Sequence, residues 1–196
     1  VTTPESAPAP APFERAVTAV RAARPRSEVE VVEIPAPTGL APYAIALAAD
    51  VRPTEHGIDS VLGTGRFVLL YDPEEPDAWD GPFRVVAYAQ APLETEIGVD
   101  PFIAEVTWSW LIDALDARGA EYSAPSGTAT KVLSTGFGEL AGQGDAAQLE
   151  LRASWSPAGP DVGAQVEAWC DLLCMLAGLP PSSDAVSLSH RRATRD

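Results

Sequence analysis

Residues 146–155 read AAQLELRASW, and their side chains alternate. Leu149, Leu151, Ala153 and Trp155 fall on one face, and Gln148, Glu150, Arg152 and Ser154 on the other. Successive strand side chains point to opposite faces, so such a strand belongs to a sheet that is covered on one side and wet on the other. Further strands are predicted at 28–34, 43–51, 65–72, 82–90 and 127–135 from β-branched and aromatic runs bounded by turn residues. In the second of these, Tyr43, Ile45, Leu47 and Ala49 share a face, and Ala44, Ala46 and Ala48 leave the other small enough for close packing. Helical spacing marks 13–24, where Phe13, Val17 and Val20 align and Pro25 ends the run. A second helix starts with Asp100 as cap and Pro101 at the first position, and stops at Gly119. Asp161 caps a third, which ends at Ala177 before Gly178. The order α-β-β-β-β-α-β-β-α implies a single α+β domain over 13–179, an antiparallel sheet with its helices on one face. Residues 1–12 form a Pro/Ala-rich disordered arm, and 180–196 a flexible polar tail bearing Arg191, Arg192 and Arg195.

The segment VTWSWLIDAL, 106–115, sets two tryptophans two positions apart in the second helix. On a helical wheel its apolar arc covers about 240°, against about 100° for an ordinary surface helix. Glu105, Ser109, Asp113 and Asp116 fill the remaining sector, with Phe102 among them. Trp110 is expected to face the sheet. Trp108 is expected at the far edge with Ile112 and Leu115, either covered by the C-terminal helix or lining an interaction surface, where aromatic residues are enriched.

The 196 residues suffice for a core that needs no metal or disulfide. Thirteen Lys+Arg against 28 Asp+Glu give a net charge of −15, which disfavours phosphate backbones and anionic membranes. Neither direct nucleic-acid binding nor membrane association is therefore expected; the charge suits plain solubility or a basic protein partner. No apolar run is long enough to span a bilayer, and the first residues lack a secretory apolar segment. Cys170 and Cys174 lie four apart on a helical apolar stripe, too far for an unstrained disulfide, so they read as core thiols of a cytoplasmic protein.

Catalytic, cofactor-binding and metal sites are not expected. The two histidines, His56 in a polar loop and His190 in the tail, stand in no nucleophile motif, and no further Cys/His pair completes a zinc site. Gly63–Gly65 and Gly136–Gly138 lack the flanking residues of a phosphate loop and read as hairpin loops. DPEEPDAWD, 72–80, lacks the central glycine of a calcium loop and reads as a solvated acidic turn, with Trp79 as a lid on the sheet edge.

Four long stretches, EIPAPTGLAPYAIALAADV, WDGPFRVVAYAQAPLETE, EVTWSWLIDALDARGAEY and AWCDLLCMLAGLPP, together resemble the bacterial, chiefly actinobacterial, domain-of-unknown-function 3000 family, DUF3000, from about Phe13 to Pro181. The resemblance brings no catalytic or binding residues with it. It does imply an accessory role beside an RNA-processing enzyme, because members are often encoded next to a ribonuclease D-like protein. The element order is also similar to that of small acidic secretion chaperones, an analogy of fold alone. The leading expectation is a non-catalytic cytosolic protein-binding module, adaptor- or chaperone-like, with Trp108, Ile112, Leu115 and Trp79 on its interaction surface. The alternatives are a small-molecule binder or enzyme, with a pocket between the sheet and the 100–118 helix, and the accessory partner of an RNA-processing enzyme.

Overall fold

The computed structural model describes residues 8–52 and 61–180. His56, His190 and the residues of the tail beyond 180 lie outside the described residues, as does the arm up to residue 7. Six strands, β1 (Val29–Ile34), β2 (Tyr43–Val51), β3 (Gly63–Tyr71), β4 (Phe83–Leu93), β5 (Tyr122–Ser134) and β6 (Ala146–Pro157), form one sheet in the order β1-β2-β3-β4-β6-β5. Every neighbouring pair is antiparallel. Helices α1 (Ala11–Ala22), α2 (Thr95–Gly98), α3 (Ile103–Ala117) and α4 (Gly163–Leu176) pack on one face. The α+β class, the antiparallel sheet and its one-sided cover are as the alternation predicts.

The alternation also fixes which residues face the helices. Ile45, Leu47, Ala49 and Val51 of β2, Phe67, Leu69 and Tyr71 of β3, Phe83 and Val85 of β4, and Leu149, Leu151, Ala153 and Trp155 of β6 are all buried there. α4 crosses the middle of this face and touches β2, β3 and β4. It comes close because the surface beneath it is small: Ala49, Gly65 and Ala89 are register partners across β2, β3 and β4. Gly63 and Gly65 thus lie inside β3, not in a hairpin loop. A methyl group on Gly65 would stand 2.6 Å from Cζ2 of Trp169 and 2.9 Å from the Tyr88 carbonyl oxygen. Trp169, fully buried, donates its indole N–H to that same carbonyl at 3.1 Å. A second indole, Trp155 on β6, donates to Gln165 of α4 at 2.8 Å, and the Gln165 amide donates to the Glu121 carbonyl at 3.1 Å. Both buried indoles are therefore satisfied, as polar groups out of water must be.

Other boundaries moved for identifiable reasons. α1 begins at Ala11, inside the expected arm, because Pro12 suits the first turn of a helix. β5 starts at Tyr122, five residues before the glycine that begins its clean pattern, and runs through Pro125, which an edge strand tolerates. A bulge between Ser123 and Ser126, with Ala124 at φ +47°, absorbs the irregularity. Arg84 pins that bulge: its guanidinium donates to the Ser154 hydroxyl at 2.6 Å, the Ser156 hydroxyl at 3.1 Å and the Ala124 carbonyl at 3.1 Å. Asp100 does accept the Phe102 N–H at 2.8 Å, but the helix proper starts at Ile103. Asp161 makes no capping bond to α4, whose N-cap is Val162. The one-turn α2, between β4 and α3, escapes the pattern because four residues carry no periodicity.

Substituting Gly65 by Ala is expected to lower stability by about 1–3 kcal/mol, the cost of overpacking a site bounded by backbone on one side and a buried indole on the other. Equilibrium denaturation of G65A beside the parent protein measures it, and no loss of stability would contradict the close seating of Trp169.

Candidate functional site between helix 3 and the edge strand

α3 reaches the far edge of the sheet because the connection from β4 passes over β6 before entering β5. Its buried stripe, Ile103, Thr107, Leu111, Ala114 and Leu115, fills the space against the sheet and α4. Thr107 satisfies its hydroxyl by donating to the Ile103 carbonyl at 2.7 Å. The two tryptophans bracket this stripe, about 160° apart through the buried side. Both are half-buried. Trp108, expected at the far edge, is seated on the sheet. A methyl group on Gly127 of β5 would lie 2.7 Å from Cζ3 of Trp108 and 2.8 Å from the Arg152 carbonyl oxygen. Trp110 closes the opposite flank of the stripe. The apolar arc is wider than the buried one because Val106 is exposed and Trp108, Trp110 and Ile112 are only half-buried; Phe102, outside the arc, is exposed to 64%.

Beside Trp108 a groove of about 390 Å³ opens between α3 and β5, lined by Ala104, Glu105, Trp108, Ser109, Gly127 and Ala129. Its outer wall is the sheet edge, since among the described residues β5 is the last strand in the order and pairs on one side only. Glu105, Asp113 and Asp116 line the solvent flank of the helix. Asp116 accepts the Tyr122 phenol at 3.1 Å, and burial, with this carboxylate as a second cause, pushes that phenol's pKa up. At the end of α3, Arg118 clasps α4 through Asp171, at 2.6 and 2.9 Å, and Glu167 at 3.0 Å. The bond to Asp171 raises the guanidinium's pKa further. The helix that floors the groove is thereby fixed to the core.

Of the expected surface residues, Trp108 and Ile112 are half-buried on adjacent positions of one flank. Leu115 is fully buried and belongs to the core instead, because it falls on the inner side of the stripe. Trp79 does not join them. It lies in a 3₁₀ turn, Asp77–Trp79, between the interior strands β3 and β4, and its carbonyl accepts the Ser156 hydroxyl from the uncovered face of the sheet. It is therefore not at a sheet edge. Sequence reasoning missed an exposed apolar corner beside the groove: Ile97, Val99 and Phe102 around α2 and the start of α3, and Leu133, Phe137 and Leu140 at the end of β5. Gly98 joins the two groups, as a methyl there would stand 3.1 Å from Leu133 Cδ2. Phe102, alone in the polar sector of the wheel, was the available signal. A larger groove, about 660 Å³, lies at the opposite edge between α1 and β1, and the Arg21–Glu33 ion pair crosses it at 3.0 Å.

Both cysteines are fully buried on α4. Burial pushes the Cys174 thiol up to about 11 and the Cys170 thiol higher still. Among the described residues, no group of His, Cys, Asp and Glu is arranged to hold a metal, and no helix is long and apolar enough to cross a membrane.

The fold and groove define an α+β protein with a one-sided antiparallel sheet, one edge of which carries an aromatic-floored cleft. Residues 9–186 match the family described as "Protein of unknown function (DUF3000)", and the chain belongs to that family. No curated protein and no solved structure matches it.

Two outcomes check this description. Leu115→Ala is expected to cost about 2–5 kcal/mol as a core truncation, and Trp108→Ala about 1 kcal/mol, near the centre of ordinary substitutions; urea unfolding separates them. Both thiols should resist alkylation at pH 8 in the folded protein and react fully once it is unfolded, since the neutral buried thiol is a poor nucleophile.

Proposed function

We propose that the protein is a non-catalytic protein-binding module, adaptor- or chaperone-like, and that its contact surface is the groove between α3 and β5. The observation that carries this reading is Trp108: half-buried on Gly127, it floors an open apolar cleft next to an unpaired strand edge. Aromatic side chains in partly desolvated clefts are the residues that most often dominate protein–protein affinity. The exposed Phe102, Leu133, Phe137 and Leu140 extend the apolar surface beyond the cleft, and Glu105 gives it an acidic rim. Exposed large apolar residues gathered around one pair of elements, here α2 and the end of β5, mark interaction sites. The net charge of −15 favours a polypeptide over a nucleic acid as the partner. Two unpaired buried thiols suit a reducing compartment such as the cytoplasm, where we place its action.

Affinity capture from native cytosol, with the parent chain beside Trp108→Arg, tests the reading. The parent is expected to retain a defined partner that the variant loses while circular dichroism shows the variant folded. If no partner is retained, or if a folded variant retains it equally, the module reading fails.

A further inference from the structure

The edge strand carries, six residues apart, both halves of a contact. Gly127 sits under Trp108 at the groove, and Leu133 stands 55% exposed on the same face of the same strand. Gly127, Ala129, Lys131 and Leu133 all point to the helix side, as their register partners Ala153, Leu151, Leu149 and Ala147 do. An antiparallel pairing of β5 with β5 of a second copy, centred on Thr130, sets each Leu133 opposite the other copy's Gly127. The same register sets each Lys131 opposite the other copy's Ala129.

Resting on the reading of this groove as a polypeptide site, we infer that its occupant is a second copy of this chain, added edge to edge as a two-fold β5–β5 pair that continues the sheet. Three features support that occupant. The first is apolar fit: Leu133 of each copy arrives at the cleft floored by the other's Trp108, so an exposed side chain and a half-open cleft are removed from water together. The second is charge. Glu105 and Ala129 line the same groove, so each Lys131, set opposite the other copy's Ala129, is brought to the groove that carries that copy's carboxylate. The two lysines stand diagonally rather than face to face. Lys131 is the only lysine of the chain; within its own copy its ammonium donates to the Asp100 carbonyl at 2.9 Å, a neutral acceptor that leaves two further donors for a carboxylate. The third is the uncovered face: Thr130 meets Thr130, Thr128 meets Val132 and Ser126 meets Ser134, pairs of β-compatible residues with no like charges opposed. The operation is closed, so it yields a dimer and not a fibre.

Sedimentation equilibrium of the full chain across a wide concentration range tests the inference. The parent is expected to reach twice the 20.6 kDa chain mass. Leu133→Glu, at an exposed position, should raise the dissociation constant by more than about tenfold, the loss of one good apolar contact. Lys131→Glu and Glu105→Lys should each weaken the dimer, and K131E combined with E105K should restore it. A parent that stays monomeric at the highest concentration overturns the inference. So does a dimer indifferent to Leu133→Glu, or one that the double charge exchange fails to restore. A captured partner and a second copy would compete for the one groove, so the outcomes are distinguishable: a monomer that captures a partner through Trp108 removes the dimer and leaves the module reading, and a dimer that captures none keeps the groove as a polypeptide site and removes the adaptor role.

Discussion

A buried indole ring resting on a sheet glycine sets the distance between the central helix and the sheet, and a half-buried ring repeats the seating at the edge. Trp169 of α4 lies on Gly65, and Trp108 of α3 on Gly127. In each case a side chain beneath the ring would collide both with the indole and with a neighbouring strand's carbonyl. The sheet is thus shaped to its helices: small residues run across its centre, and the large ones, Phe67, Leu69, Phe83 and Trp155, stand around them. Interiors packed this tightly fix orientation as well as distance. With Trp169 also bonded to the Tyr88 carbonyl, α4 is held at a defined point over the central strands. α3 is in turn fixed to α4 by the Arg118 clasp.

That dependence explains why the groove is where it is. α3 is broad in its apolar character but buries only an ordinary stripe. The excess is left at the flanks, as Trp108 and Ile112 on one side and Trp110 and Val106 on the other. Because Trp108 is tied to the last strand of the sheet, its flank meets an unpaired edge rather than another helix. The cleft is a product of the sheet order, which leaves β5 outermost and β6 inside.

Much of this was legible in the residues and some was not. Strict alternation located the strands and told which side was covered, since a period of two admits one assignment of faces. Helix stops at Gly119 and Gly178, both at positive φ, were legible as well. The glycines of β3 were misread because glycine is rare in strand interiors, and only the ring above Gly65 explains it. The wheel gave α3 its excess apolar arc but not the seating of Trp108 on the edge strand. A wheel orders residues around an axis and carries no information on which sector turns toward the sheet; Gly127, far along the chain, decides that. The distant pairing of Trp79 with Ser156 was invisible for the same reason.

One ladder has a meaning for how the chain assembles. β1 to β4 are joined in succession, and β5 to β6 likewise, each strand pairing with its neighbour in sequence. Only β4 with β6, from Val85–Trp155 to Leu93–Ala147, stitches the two pieces together. The meander and the hairpin can each form from local contacts, but the seam requires a long loop to close first, the slower kind of event. Until it closes, β4 and β6 both present bare edges, and the apolar half of β6 has no cover. The meander and the hairpin thus meet along one pairing, and α4, bonded to the Tyr88 carbonyl of the one and to Trp155 of the other, spans both sides of it.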